Sequence, residues 1–184
     1  MKFLFFTIFT FLFIGMTNSV LIFDFGAKSD ISDWKVVDDN VMGGRSNGNF
    51  YLSEQGNGIF DGIFEGKVSL ENNGGFSSLR YIFDRKNIQG YTKINIHLKG
   101  DKKRYQFRLK TNQNDRHSYV SYFETSEEWE IITLYLADMI PNFRGQRLDL
   151  SNYQAEELAE IGFLIGNKEE QNFRLEINKV ELIK

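Results

Sequence analysis

The chain has 184 residues, no cysteine, one proline, 16 glycines and a formal charge of −3. At about 150 residues per domain this is one domain, and the absence of thiols excludes a disulfide scaffold, a thiolate zinc or iron–sulfur centre and a cysteine nucleophile. The two histidines, His97 and His117, cannot make a multi-histidine metal site without carboxylates, and a pI near 5.5 lacks the basic footprint of a nucleic-acid binder.

Residues 1–19 read as a secretory signal peptide: Lys2, an apolar run over 3–14, then Gly15, Thr17, Asn18 and Ser19. Cleavage is expected after Ser19, which leaves 20–184 as one exported domain, periplasmic or secreted, with no membrane insertion. The alternative is an uncleaved anchor running on through Phe23, although the 3–14 run is short of the roughly 20 residues a span needs. No cysteine is present to carry a lipoprotein lipid, and the leader has no arginine of the kind that marks a mitochondrial transit peptide.

Beyond the leader the periodicity is that of strands. Ile94, Ile96 and Leu98 alternate with Lys93, Asn95 and His97; Tyr105, Phe107 and Leu109 alternate with Arg104, Gln106, Arg108 and Lys110. Side chains two apart share a sheet face, so each segment has one apolar and one polar side. Strands are expected over 20–25, 34–37, 49–52, 62–70, 76–83, 92–99, 104–110, 119–124, 130–136, 161–165, 173–177 and 180–183. Turn chemistry separates them at Gly43-Gly44, Asn47-Gly48, Asn57-Gly58, Asn73-Gly74-Gly75, Lys99-Gly100-Asp101 and Gly166-Asn167. Only 152–160 reads as helical, with Ser151 or Asn152 as its cap. About ten to twelve short strands with regular turns predict an all-β fold, an antiparallel β-sandwich or barrel, and the sandwich is favoured.

The stretch from Asp38 to Ser46 is the least ordinary. Its adjacent aspartates project to opposite sides of an extended chain, a poor arrangement for a pair of catalytic carboxylates facing one bond. Its Gly43-Gly44 reads either as a turn or as a place where backbone amides approach a ligand. Arg104, Arg108 and Lys110 put three cations on one strand face: a solvated face if it is flat, a ligand-gripping one if it is concave. Tyr122 falls out of phase with Phe123, so at least one of the two leaves the core face, and an outward aromatic beside arginines is the make-up of a sugar- or protein-binding surface. Phe143-Arg144-Gly145 reads as a shaped loop. Asp24, Asp38, Asp39 and Asp61 offer oxygens for calcium, but no EF-hand spacing exists, and no metal or other cofactor is assigned. No serine has a Gly-x-Ser-x-Gly context and His117 has no triad partner, so no catalytic residue is assigned.

Trp34 and the run Asp39-Asn40-Val41-Met42-Gly43-Gly44-Arg45-Ser46 resemble the opening signature of the complex I intermediate-associated protein 30 family. The likeness continues through Phe64-x-Gly66-x-Val68-Ser69-Leu70-Glu71-Asn72-Asn73-Gly74-Gly75-Phe76, Arg104-Tyr105-x-x-Arg108-Leu109, Tyr119-x-x-Tyr122-Phe123-x-Thr125, Phe143-Arg144-Gly145 and Phe173-x-Leu175-x-Ile177, over about 22–183. The resemblance implies a galactose-binding-domain-like jelly roll. It also implies a non-enzymatic role, since mitochondrial members act as assembly chaperones of respiratory complex I (NADH:ubiquinone oxidoreductase). The expected partner is a protein, with a cell-envelope glycan as the alternative. The expected contact residues are Asp39, Met42, Gly43, Gly44, Arg45, Ser46, Arg104, Arg108, Tyr122 and Arg144.

Overall fold

The computed structural model describes residues 19–184 and, for Val41 and Met42, the backbone alone. The expected leader therefore lies outside the described residues except for Ser19. In chain order the strands are β1 (Ser19–Asp24), β2 (Trp34–Asp38), β3 (Asn47–Gly56), β4 (Ile59–Val68), β5 (Ser77–Asn87), β6 (Lys93–Lys99), β7 (Arg104–Lys110), β8 (Ser118–Glu124), β9 (Trp129–Tyr135), β10 (Ile140–Phe143), β11 (Gln146–Arg147), β12 (Glu157–Ile165) and β13 (Gln171–Ile183).

They form two sheets in which every pairing is antiparallel. One has six strands, ordered β3-β4-β13-β6-β9 with β1 beside the second half of β13; the other has seven, ordered β11-β10-β8-β7-β12-β5-β2. The inward rows of the two sheets meet in one core. Tyr105, Phe107 and Leu109 from β7 are almost fully buried, as are Ile94, Ile96 and Leu98 from β6. Each such side chain contributes about 1.5–3 kcal/mol when removed from water. One end of the core is aromatic: the Trp34 ring stacks on Tyr81 at 4.8 Å and meets Phe23 edge-on at 5.3 Å. Among the described residues no helix is long and apolar enough to cross a membrane.

The all-β sandwich is therefore present, but three local expectations are corrected and a fourth is refined. Residues 152–160 are not helical. Ala155 sits in the left-handed region (φ 55°), which breaks a helix, and from Glu157 onward the chain is β12, inserted between β5 and β7. Leu158, Ala159 and 161–165 are buried because a central strand packs on both faces, so the alternation that marks a strand is lost there. Asn47-Gly48 opens β3 instead of turning, paired with Lys67 and Gly66. The segments 173–177 and 180–183 are one strand, carried past a bulge at Asn178. The loop expected at 143–145 is the turn of a small hairpin, β10–β11, with Arg144 and Gly145 both at positive φ.

Candidate ligand-binding face

The segment between β2 and β3 is held by its own aspartates. Asp39 is 2% exposed, and its carboxylate accepts four hydrogen bonds: from Ser46 N (3.1 Å), Ser46 Oγ (2.5 Å), Gly75 N (2.6 Å) and Phe76 N (3.2 Å). Ser46 Oγ in turn accepts from Ser69 N at 3.0 Å. Asp38 accepts from Gly48 N and from the Ser77 hydroxyl. Burial pushes the Asp39 carboxyl up, but the Ser46 hydroxyl and the Gly75, Phe76 and Ser46 amides outweigh it and hold it below the ordinary value. A general acid requires the opposite shift. Gly44 packs directly on this carboxylate, since a Cβ there would lie 2.1 Å from Asp39 Oδ1. Asp39, Gly44 and Ser46 thus clasp the 39–46 segment to the 69–76 segment. Arg45 points out and pairs with Glu71 at 3.0 Å, both side chains well exposed, and Gly43 gives its carbonyl to Asn72 Nδ2. The Met42 side chain is outside the described residues.

A different arrangement occupies the outer face of the seven-stranded sheet. Register places Arg104 opposite Glu124, Gln106 opposite Tyr122 and Arg108 opposite Val120 on β8; on the other side Gln106 meets Leu164, Arg108 meets Gly162 and Lys110 meets Glu160 on β12. Gly162 of β12 stands between Arg108 of β7 and Arg80 of β5, and Arg80 Cγ lies 3.6 Å from where a Cβ at Gly162 would be. Ser78, Ser118, Val120, Asn142, Glu160 and Leu164 are all buried although they lie outside the inter-sheet core, so the long side chains of this face cover one another. Lys110 and Glu160 approach to 3.6 Å with little exposure. Arg108 Nε is buried with no hydrogen-bond partner. Burial lowers the Arg108 pKa and Arg80 adds to this, while Tyr122 and Glu160 oppose it.

At one end of the face lies a cleft of about 500 Å³, with Arg104, Gln106, Tyr122, Asn167, Glu169 and Gln171 among its lining. The Arg104 guanidinium stands 4.2 Å from the centroid of the Tyr122 ring, and that ring is 42% exposed. Gln171 Nε2 is buried beside the cleft without an acceptor.

The residues picked out in sequence therefore separate. Arg104 and Tyr122 come together at the cleft, Arg108 lies further along the same face, and no residue of the 38–46 segment lines the cleft. Arg144 belongs to the β10–β11 turn, 5.4 Å from the Phe143 ring. Gln106 was visible as a polar member of the β7 alternation; Gln171 and Asn167 were not, since the β12–β13 connection brings them in. The four aspartates considered for calcium do not converge, and no cluster of three or more acidic, histidine or cysteine groups able to hold a metal occurs among the described residues.

Among solved structures the chain is similar to the family 11 carbohydrate-binding module of cellulosomal cellulase Lic26A-Cel5E of Clostridium thermocellum, with a TM-score of 0.68 and 14% identity over 91% of this chain and 95% of that one. The family 11 module from the same organism in complex with a beta-1,3-1,4-mixed-linked tetrasaccharide gives 0.65 and 11% over 90% and 95%. An exo-beta-agarase matches 89% of this chain with 24% of its own, at a TM-score of 0.55 and 10% identity. At such identities the likeness is one of fold, the jelly-roll β-sandwich. No curated protein matches the chain in sequence. The model of the complex I intermediate-associated protein 30 (CIA30) family matches residues 23–177, so the chain belongs to that family.

Proposed function

We propose that residues 20–184 act as a non-catalytic binding domain of the assembly-factor kind, gripping a protein partner at the cleft on the outer face of the seven-stranded sheet. One observation carries the reading: an exposed tyrosine ring backed by a guanidinium at 4.2 Å, at the mouth of a cleft large enough for several side chains. Aromatic–arginine pairs of this sort anchor interfaces, because they supply area and directed donors together. Lys168 and Gln171 line the same opening together with Glu124 and Glu169, so the segment received carries both acceptors and donors. The leader delivers the domain outside the cytoplasm, and cleavage after Ser19 frees it.

A second reading, recognition of a glycan, is favoured by Gln106, Asn167 and Gln171 standing beside Tyr122: amides bond to sugar hydroxyls as readily as to peptides. A photo-crosslinking residue at position 122 of the full chain, irradiated in its own cells, tests both. The protein reading expects a discrete protein adduct that disappears with Arg104→Glu. Absence of any adduct, together with retardation of the purified domain by β-glucan gels that Tyr122→Ala relieves, replaces it with the glycan reading.

A further inference from the structure

The outer face of the six-stranded sheet, on the opposite side of the molecule, has a cleft of its own. It measures about 490 Å³ and runs from Gln55 and Ile59 at the β3–β4 hairpin, over Asp61 and Asn178, to Ile131 and Trp129 on β9. β9 is an edge strand paired only with β6, and Trp129 and Ile131 are about half exposed, as is Ile59 across the cleft. Beneath them Asp61 is 1% exposed. The bulge at Asn178 aims that side chain at Asp61, where Nδ2 donates to Oδ1 at 3.0 Å. Asp61 Oδ2 has no partner at all. A buried carboxylate oxygen without a donor costs free energy until one is supplied.

We infer that this cleft is a second binding site, separate from the proposed partner face, for an organic cation: an ammonium or guanidinium group on an apolar stem, its head on Asp61 Oδ2 and its stem against Trp129 and Ile131. Charge selects the ligand. Asp61 is the carboxylate that the lining leaves open, since Glu130 Oε1 accepts from Ser126 N and Oγ, and the lining contains neither lysine nor arginine. His97 Nε2 is engaged with Glu181 Oε1 at 2.9 Å and Lys179 Nζ with the same oxygen at 3.3 Å, while Lys99, the register partner of Trp129, lies outside the lining. Burial and the charge of Glu176 push the Asp61 carboxyl up, with the Asn178 amide opposing, and a bound cation relieves both. A neutral sugar would meet the Trp129 ring equally well but would leave the negative excess uncompensated, whereas a cation is attracted both by the ring face and by the carboxylate. Asp61 shares the lining of the cleft with Gln55 and Ile59, both exposed.

Trp34 is buried, so the indole N–H resonance of Trp129 is a distinct reporter. The folded domain is titrated with agmatine, cadaverine, N-acetyl-lysine amide, N-acetyl-arginine amide and, as neutral control, cellotetraose. The expected result is a saturable shift of Trp129, Ile131 and His97 resonances with the cations alone, weakened about tenfold or more by Asp61→Asn. Shifts with agmatine or cadaverine mark a free amine as ligand; shifts confined to the amino-acid amides mark a basic side chain of a polypeptide. The inference is overturned if no cation moves these resonances, if cellotetraose moves them as strongly, or if the folded Asp61→Asn variant binds as wild type does. Trp129→Ala, read through Ile131 and His97, guards against an effect of Asp61→Asn on folding. Tyr122→Ala is expected to leave this binding unchanged, which separates its failure from failure of the proposed partner face.

Discussion

Replacement of Asp39 by asparagine tests whether the segment beside β2 is a clasp. The wild-type carboxylate accepts from Ser46 N, Ser46 Oγ, Gly75 N and Phe76 N at 2.5–3.2 Å. An amide offers one oxygen. Placed where it keeps the Ser46 hydroxyl, Gly75 and Phe76, it turns its NH2 toward Ser46 N, donor against donor. One buried donor is then orphaned, at about 1–3 kcal/mol, and the other three bonds lose their charge assistance, roughly 1 kcal/mol each. Partial relaxation leaves a destabilisation of about 3 kcal/mol, a fall in Tm of about 6–12 °C for a domain of this size. The effect depends on pH with a definite sign. Because the folded-state pKa of Asp39 is lowered, its contribution is fully present above the unfolded value near ~3.9 and disappears as pH falls through the folded value. Urea unfolding followed by circular dichroism should therefore show a wide gap between wild type and Asp39→Asn at neutral pH, closing below about pH 4. Equal stabilities at neutral pH, or a gap that stays constant into acid, would refute the clasp.

Gly44→Ala should cost as much as losing the clasp, about 3 kcal/mol, since its Cβ would stand 2.1 Å from Asp39 Oδ1; Gly43→Ala, at φ +84° but with nothing within 4 Å, should cost only about 1–2 kcal/mol by thermal unfolding. Tyr122→Ala should shift unfolding by no more than about 0.5 kcal/mol, because the residue is 42% exposed, while abolishing partner or glycan binding at that face. Asp61→Asn should raise stability at neutral pH by about 1 kcal/mol, since a neutral amide is less costly to bury than a carboxylate with one oxygen unbonded. The raised pKa of Asp61 penalises the fold only above its unfolded value, so this gain should vanish in urea unfolding near pH ~3.

The fold was legible wherever one sheet face is buried and the other is not. The alternation of β6 and β7 fixed which residues enter the core, and Asn57-Gly58, both at positive φ, closes the β3–β4 hairpin as its composition predicts. Legibility failed at β12 for the same reason in reverse. A strand covered on both faces has no alternation, and its acidic start beside Ala155 and Ala159 imitates the first turn of a helix. The long β13 was split because the bulge at Asn178 shifts the phase of its apolar residues. The cleft was only half legible: Arg104 and Tyr122 were each visible as outward residues of their own strands, but their meeting depends on the β7–β8 register, which neither segment contains alone.

The stretch that reads as most functional in the sequence has an architectural role, and the reason is physical. Two loops that cross at the edge of a sandwich leave backbone N–H groups which no strand can satisfy. Asp39 supplies the acceptors for Ser46, Gly75 and Phe76, and Gly44 leaves the space that the carboxylate fills. The two blocks that carry the family resemblance most strongly, 39–46 and 72–76, are thus bonded to one another across the structure. These blocks lock the sandwich, while the binding surfaces we propose lie on the outer faces of its sheets, where Tyr122 and Trp129 stand exposed near the unbonded Gln171 Nε2 and Asp61 Oδ2.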